Sequence, residues 1–199
     1  MYKLLGTHNS ATGEKPINFV SLVGTPIGQC QSKTIAKQLE AGVSLFDLRV
    51  KPYRYSTNYS MYYPLEKIED CTMGHGVCDY DITLKEAVEK IDTYCKNNNG
   101  IAYILVTLEG ELTESKDKFM EDVKKFFNNY NYIVLLEINV KKPEWTQLWR
   151  NNKSDVTYTK DYPLIKGWKA ILPFPRLWSL FIEHKPSVKN NVYSLRDFV

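Results

Sequence analysis

A run of almost uninterrupted apolar residues, Ile101–Thr107, lies between two amphipathic helical patterns. Such a run is typical of a strand in a parallel sheet, because helices cover both faces of the sheet. The helix before it begins after Thr83, and Glu86 follows three residues later, which is the capping-box pattern. The helix after it is predicted over Ser115–Asn128. A buried strand between two helices indicates the α/β class.

The same alternation continues along the rest of the chain. A helix is predicted over Ser32–Ala41 and ends at Gly42, because glycine accepts the left-handed backbone that follows many helices. The further predicted strands are Lys3–Leu5, Val43–Val50, Tyr132–Glu137, Ala170–Phe174 and Val192–Leu195. We therefore expect an open parallel sheet or a (β/α) barrel, formed by a single domain over residues 1–199.

Composition and charge exclude several function classes. The net charge of +3, from 26 basic and 23 acidic residues, is too small and too dispersed for a nucleic-acid-binding surface. No apolar run reaches the roughly 18 residues that a membrane span needs. The first residues lack the apolar core of a signal peptide, so we expect a cytoplasmic or membrane-peripheral protein, with secretion as the alternative.

The cysteines leave the redox compartment open. Cys30, Cys71, Cys78 and Cys95 do not have the spacing of a zinc site. Cys71 and Cys78 lie close in sequence and could form a disulfide in an oxidising compartment. Four reduced thiols in a cytosolic protein are the alternative, and the sequence does not decide between them.

Polar side chains collect where the predicted strands end. His8 and Asn9 follow the first strand, and His75 lies between two glycines. Asp47 and Arg49 are two positions apart in one strand, so their side chains share a face. The carboxyl ends of parallel strands commonly form the site in both architectures. Two histidines with Asp and Arg between them favour acid–base catalysis on an anionic substrate; a buried Asp47–Arg49 ion pair is the alternative.

Other polar residues occupy similar positions along the chain. Glu109 and Arg176 each follow a predicted strand, and Asp197 follows the last one. Plain solvent exposure is the alternative for Glu109 and Asp197. The third histidine, His184, is predicted to be a surface residue without a role.

Several segments together resemble the X domain of phosphatidylinositol-specific phospholipase C, and most closely its bacterial and short X-domain-only branches. The resemblance runs in consistent order along almost the whole chain. Its segments are Gly6–Ser10, Gln38–Arg49, Gly74–Gly76, Gly167–Leu172 and Asn191–Asp197. The resemblance implies the family's fold, a distorted TIM-type (β/α) barrel.

The barrel is expected to be incomplete at its C-terminal end. Asn191–Asp197 resembles the sixth strand of the family, so the last two strands would be absent. The acid that orients the base histidine would be absent with them. A fragment, an open barrel, or a second chain that completes the barrel would each account for this.

The resemblance also implies an activity. The family cleaves phosphatidylinositol by attack of the inositol 2-hydroxyl on phosphorus, which gives diacylglycerol and a cyclic inositol phosphate. Carried onto this sequence, His8 would be the general base and His75 the general acid. Arg49 would stabilise the charged phosphoryl oxygens, and Asp47 would orient Arg49 or the attacking hydroxyl.

The resemblance favours an enzyme without a metal cofactor. Arg49 stands where the calcium-dependent branch of the family has a second acid, and its charge would take the place of the cation. The charge of Arg49 also argues against another alternative function, that of a metal-dependent barrel phosphodiesterase with a different substrate. Asn9 and Glu109 match calcium ligands of that branch, so Asn9, Asp47 and Glu109 form the alternative calcium site. Without calcium, Asn9 and Glu109 are expected to bind substrate.

A membrane surface that contains phosphatidylinositol is the expected partner. Ile17–Pro26 corresponds to an interfacial helix of the family, and Pro173–Phe181 groups aromatic residues that could enter a headgroup layer, although both could instead pack in the core. Arg176 and Asp197 match inositol-contacting positions. Glycosylated phosphatidylinositol would react by the same chemistry. The alternative function is a non-catalytic module that binds phosphoinositides or membranes.

Overall fold

Strands and helices alternate along the part of the chain that the computed structural model describes, which is residues 5–56, 61–112, 115–142, 145–160 and 192–197. The helices are α1 (Phe19–Gly28), α2 (Ile35–Glu40), α3 (Leu84–Asn97) and α4 (Lys116–Phe127). The strands are β1 (Leu5–Thr7), β2 (Val43–Lys51), β3 (Tyr53–Ser56), β4 (Met61–Pro64), β5 (Thr72–His75), β6 (Cys78–Thr83), β7 (Ala102–Leu108), β8 (Ile133–Lys142), β9 (Trp145–Arg150), β10 (Thr157–Lys160) and β11 (Val192–Arg196).

Most of these strands form one curled sheet in the order β10-β11-β1-β2-β7-β8-β9. All neighbours from β10 to β8 run parallel, and β9 is antiparallel to β8. The hairpin β5–β6 joins the end of β2, whereas β3 and β4 pair only with each other within the described residues. The prediction of an incomplete, distorted α/β barrel is confirmed.

Strand β2 separates two hydrophobic cores. The larger core, beneath the helices, includes the β2 residues Val43, Phe46, Leu48 and Val50. The core inside the curled sheet consists of Leu45, Leu105, Leu136, Tyr193 and Leu195. Because successive side chains of a strand point to opposite faces, Asp47 and Arg49 share the inner face with Leu45. The two charged side chains therefore lie near the carboxyl end of β2, beyond the inner apolar layer.

The capping signals predict the helices well. The side chain of Thr83 accepts a hydrogen bond from the Glu86 amide, and the Glu86 side chain accepts one from the Thr83 amide, so the capping box is confirmed. Ser115 caps α4 in the same way. Helix α2 is shorter than predicted, because its N-cap is Thr34 and the residues before it are not helical. Gly42 has φ 85° and ends this segment as expected.

The first strand differs from its prediction. It covers Leu5–Thr7 rather than Lys3–Leu5, of which only Leu5 is described, and Gly6 lies inside it. A Cβ on Gly6 would lie 2.9 Å from Cδ2 of Leu195, so the glycine lets neighbouring strands approach inside the curled sheet. Six of the described strands, β3, β4, β5, β6, β9 and β10, were not predicted. The predicted strand Ala170–Phe174 lies outside the described residues.

The position of β11 corrects an expectation. The segment is a strand as predicted, but it pairs in parallel with β1, with Leu5 opposite Ser194. The strand beside the first one is where a parallel barrel closes. The segment therefore lies beside the first strand rather than in a sixth position, and among the described residues the sheet stays open between its edge strands β10 and β9.

The cysteines are all thiols in this structure, which describes all four of them. Cys71 and Cys78 are buried at the ends of the β5–β6 hairpin strands. The structure therefore contains no disulfide between Cys71 and Cys78.

The capping box gives a stability prediction. Replacement of Thr83 by Ala leaves the Glu86 amide without its acceptor, and we expect the free energy of unfolding to fall by about 1 kcal/mol. Urea unfolding followed by circular dichroism measures this. Thr93→Ala is the control, because Thr93 is exposed in the interior of the same helix, where alanine is the better helix former. Equal destabilisation by both substitutions would contradict the assignment.

Candidate active site

The loop after β1 fixes the backbone of His8. The His8 amide donates to the carbonyl of Arg196 at 3.0 Å. The buried side chain of Gln31 donates from Nε2 to the carbonyls of His8, at 2.9 Å, and Arg196, at 2.7 Å. Asn9 follows with φ 49°, a left-handed conformation that asparagine tolerates better than most residues. These bonds tie the exits of β1 and β11 together and hold His8 between them.

The two ring nitrogens of His8 have different partners. Nε2 lies 2.8 Å from Nη2 of Arg49, and Nδ1 lies 2.8 Å from Oδ1 of Asp197. A guanidinium group only donates hydrogen bonds, so Nε2 accepts and the ring proton resides on Nδ1, which donates to Asp197. An imidazole in this tautomer has its basic lone pair on Nε2, as a general base requires.

Asp197 corrects a second expectation. The sequence resemblance implied that the acid orienting His8 is absent, and it gave Asp197 an inositol-contacting position. The structure places the Asp197 carboxylate at Nδ1 of His8, because β11 pairs in parallel with β1. Whether Asp197 also contacts inositol stays a prediction.

Arg49 lies at the centre of the group, and each of its nitrogens has a partner. Nε is 3.4 Å from Oδ2 of Asp47, Nη1 is 2.6 Å from Oε1 of Glu109, and Nη2 bonds His8. Burial lowers the pKa of Arg49, but the carboxylates of Asp47 and Glu109 outweigh it and leave the pKa raised. The Asp47 carboxylate also accepts from the Asn9 amide at 3.3 Å. The guanidinium is therefore a fixed, permanent positive charge.

His75 reaches the same place from the end of β5. The centroids of the His8 and His75 rings are 6.3 Å apart, and the ring planes make an angle of 73°. Gly76 follows with φ 58°, and its amide donates to Oε2 of Glu109 at 2.8 Å. Glu109 thus binds Arg49 with one oxygen and the turn beside His75 with the other. The two imidazoles and the guanidinium border one space.

The residues of the alternative calcium site fit that ion poorly. The Arg49 guanidinium contacts both Asp47 and Glu109, so a divalent cation bound to these carboxylates would face a fixed positive charge. The third proposed ligand, Asn9, has a buried Oδ1 without a hydrogen-bond partner among the described residues, while its Nδ2 donates to Sγ of Cys30 at 3.1 Å.

A different group has the ligand types that a metal ion uses. His8, Cys30 and Asp197 each have one such atom, and these atoms lie within 4.8 Å of one another. In this group the imidazole and the carboxylate already bond each other. Burial, and then the negative charge of Asp197, raise the pKa of the Cys30 thiol, which disfavours the thiolate that binds metals.

The structure brings together most of the predicted site residues. They are His8, Asn9, Asp47, Arg49, His75, Glu109 and Asp197. Arg176, His184 and the aromatic segment Pro173–Phe181 lie outside the described residues. Sequence reasoning missed Cys30 and Gln31, which stand in a loop between helices with no pattern around them.

An exposed apolar surface lies beside the site. Its residues are Phe19, Val20, Leu22 and Val23 of α1, Tyr62 of β4, and Val77 of the turn after His75. Met61 and Tyr63 are also exposed but alternate with Tyr62 on the other face of β4. Asn18, just before α1, donates from Nδ2 to the Tyr62 hydroxyl at 2.9 Å, which joins the helix to β4. Within the described ranges, no helix combines the length and apolar character needed to cross a bilayer.

Comparison with solved structures finds the same fold in bacterial phospholipases. The phosphatidylinositol-specific phospholipase C from Listeria monocytogenes aligns with a TM-score of 0.51 and 17% sequence identity, over 81% of this chain and 61% of that chain. A mutant of the Staphylococcus aureus enzyme aligns with a TM-score of 0.49 and 14% identity, over 69% of this chain and 47% of that chain. This chain therefore spans less than two thirds of either enzyme.

The remaining comparisons give no match. No protein-family model matches the chain, and no curated protein matches it. None of these comparisons supports the alternative that a second chain completes the barrel. At 17% identity the likeness to the Listeria enzyme establishes the fold: the chain has the curled α/β barrel of the bacterial phosphatidylinositol-specific phospholipases C.

Proposed function

We propose that the chain is a phosphodiesterase of the phosphatidylinositol-specific phospholipase C type, acting on phosphatidylinositol or its glycosylated form. The observation that supports this best is the geometry of His8. Its basic Nε2 lies 2.8 Å from the Arg49 guanidinium, and its ring centroid is 6.3 Å from that of His75. A base, an acid and a fixed positive charge around one space suit in-line attack on a phosphodiester.

In the proposed reaction, Nε2 of His8 takes the proton of the inositol 2-hydroxyl while the hydroxyl oxygen attacks phosphorus. The imidazolium that forms is stabilised by the Asp197 carboxylate at Nδ1. His75 donates a proton to the diacylglycerol oxygen as its bond to phosphorus breaks. The products are diacylglycerol and a cyclic inositol phosphate. His8 has taken up one proton and His75 has released one.

Arg49 supplies the positive charge in this proposal. Its guanidinium stabilises the phosphoryl oxygens, whose negative charge grows in the transition state. In the structure, Nη2 of Arg49 donates to Nε2 of His8. The substrate phosphate would take over this donor, and the same displacement would release Nε2 to accept the hydroxyl proton. No metal is required in this reaction.

The surrounding polar residues have positioning roles in this mechanism. Asp47 and Glu109 hold Arg49, and Asp197 holds His8. The substrate contacts expected of Asn9, Glu109, Asp197 and Arg176 remain predictions from the resemblance. The Glu109 carboxylate accepts hydrogen bonds from both Arg49 and the Gly76 amide, and these two bonds alone explain an acid at this position.

A lipid surface is the proposed partner. The exposed apolar surface, from α1, β4 and the turn after His75, adjoins the space between the imidazoles, and the substrate is part of a bilayer. An amphipathic helix beside the site could insert these side chains among the headgroups. The net charge of +3 adds a weak attraction to anionic lipid.

Removal of either histidine tests the mechanism. We expect His8→Ala and His75→Ala each to lower the release of cyclic inositol phosphate about 10²- to 10⁴-fold, the usual contribution of a positioned acid or base. Phosphorus NMR on vesicles that contain phosphatidylinositol follows the product. His184→Ala is the control. If the wild-type chain bound vesicles without forming product, the non-catalytic membrane-binding function would hold instead.

The Asp197 contact gives a second activity prediction. Asp197→Asn removes the negative charge that holds the Nδ1 proton and stabilises the imidazolium, so we expect kcat to fall about 10²-fold. The same assay measures this, with Asp155→Asn as the control, because Asp155 is exposed in the segment between β9 and β10. An unchanged kcat for Asp197→Asn would show that the contact with His8 has no catalytic role.

The membrane proposal predicts a change in vesicle affinity. Val23, which is 60% exposed, should enter the lipid, so Val23→Glu should weaken binding to phosphatidylinositol–phosphatidylcholine vesicles by about tenfold or more. Sedimentation with vesicles measures the affinity. Ile101 is 53% exposed but lies at the opposite end of the sheet, before β7, and Ile101→Glu is the matched control. Equal losses for both variants would contradict the assigned surface.

A further inference from the structure

The thiol of Cys30 lies beside His8 and Asp197 but has no part in the proposed reaction. An imidazole nitrogen of His8, the sulfur of Cys30 and a carboxylate oxygen of Asp197 lie within 4.8 Å of one another. In a tetrahedral zinc site the ligand atoms are about 3.5 Å apart, because zinc bonds nitrogen and oxygen at about 2.0–2.2 Å and sulfur at about 2.3 Å. Movements on the order of 1 Å would therefore bring all three atoms into contact with one zinc ion.

The loop that contains Cys30 is held by hydrogen bonds. The Cys30 amide donates to Oγ1 of Thr12 at 3.0 Å, and the amide of the next residue, Gln31, donates to the same oxygen at 2.8 Å. The Gln31 side chain in turn binds the carbonyls of His8 and Arg196, the residue before the third ligand. These bonds fix the three ligand residues relative to one another, so little conformational freedom is lost when an ion binds them.

Asn9 lies against this group and has an oxygen without a hydrogen-bond donor. The residue is 1% exposed, its Nδ2 donates to Sγ of Cys30 at 3.1 Å, and its Oδ1 has no partner among the described residues. A buried acceptor without a donor costs free energy. A water molecule at the fourth position of a zinc ion is a donor that this oxygen can accept, and the bond from Nδ2 supports a metal-bound sulfur.

The ligand types select zinc rather than calcium or magnesium. Zinc binds sulfur and nitrogen, whereas calcium and magnesium take oxygen ligands. Burial and the negative charge of Asp197 raise the pKa of the free Cys30 thiol, but a thiol that coordinates a metal ion loses its proton. The thiolate and the carboxylate together neutralise the two positive charges of the ion. The buried complex therefore has no net charge, and burial no longer opposes the thiolate.

We propose that His8, Cys30 and Asp197 form a zinc site that inhibits the proposed reaction. Zinc binds the nitrogen of His8 that faces Asp197, which is Nδ1. The Cys30 thiol releases its proton to solvent, and the ring proton moves from Nδ1 to Nε2, since a neutral imidazole carries one proton. Nε2 then has no lone pair for the hydroxyl proton. Nη2 of Arg49 loses its acceptor at the same time, which keeps the affinity below that of a structural zinc site. The inhibition rests on the proposed function, whereas the binding of zinc does not.

Cobalt(II) is the spectroscopic probe, because it occupies zinc sites and its bond to a thiolate gives a charge-transfer band in the near ultraviolet. We expect this band in the wild type and its loss when Zn²⁺ is added. Cys30→Ser should lack the band and should bind Zn²⁺ at least about 100-fold more weakly in competition with a chelating dye, because a direct ligand is lost. Cys95→Ser is the matched control, since Cys95 is a buried thiol of α3 in the larger core, and its band should equal that of the wild type.

The ring of His8 gives a readout in the wild-type chain that does not depend on the cysteine variants. The chain has three histidines, so the His8 signals can be identified in nitrogen–proton NMR spectra with a His8→Gln variant. We expect the ring proton on Nδ1 without metal and on Nε2 with Zn²⁺. A ring proton that stays on Nδ1 at saturating Zn²⁺ would overturn the proposal. Circular dichroism checks the fold of Cys30→Ser, in which serine keeps an acceptor for the Asn9 amide.

Inhibition kinetics connect the site to the proposed reaction. Zn²⁺ should inhibit the release of cyclic inositol phosphate by the wild type and by Cys95→Ser, and Ca²⁺ should not. In Cys30→Ser the activity without zinc should match the wild type, and the Zn²⁺ concentration for half inhibition should rise about 100-fold. Equal inhibition of Cys30→Ser and the wild type, or a cobalt band that survives in Cys30→Ser, would contradict the zinc site. Absence of product from the wild type would refute the proposed function alone and leave the cobalt and NMR results to decide the metal site.

Discussion

The site depends on one guanidinium group that is held between two carboxylates and an imidazole. Arg49 contacts Asp47, Glu109 and His8 at the same time, and these residues come from three different strand ends. A buried charge of this kind is stable only when its partners are fixed, so the strands must meet in one register. The same contacts decide which nitrogen of His8 is basic and leave little room for a metal ion at the two carboxylates.

The sequence predicts the parts of the fold that local patterns determine. Apolar runs identify β2 and β7, and the capping residues Thr83 and Ser115 identify α3 and α4 correctly. Strands β3, β4, β9 and β10 were missed, because exposed hairpin and edge strands have weak apolar alternation. The short hairpin strands β5 and β6 were missed as well. The neighbour of β1 could not be predicted either. Pairing between strands distant in sequence depends on how the whole sheet curls, and no local residue pattern encodes that.

Prediction of the site placed His8, His75 and Arg49 together, because in each case the residue type coincides with a strand end, and the structure has them close to one another. Their catalytic roles remain predictions. It failed for the partner of His8, because the contact with Asp197 depends on the pairing of β11 with β1. A buried ion pair between Lys51 and Asp79 was also missed. A lysine and an aspartate in strands normally indicate solvent exposure, and only the packed structure shows that these two are enclosed.

The contact between His8 and Asp197 joins residues that are 189 positions apart in the chain. Closure of so long a loop is entropically demanding and follows the formation of local structure during folding. The hydrogen bond between Asp197 and the imidazole of His8 is consequently among the last features to form as the polypeptide acquires its native topology. In the proposed reaction, a partly folded chain therefore lacks the oriented base that cleavage requires, so catalytic competence is delayed until folding is finished.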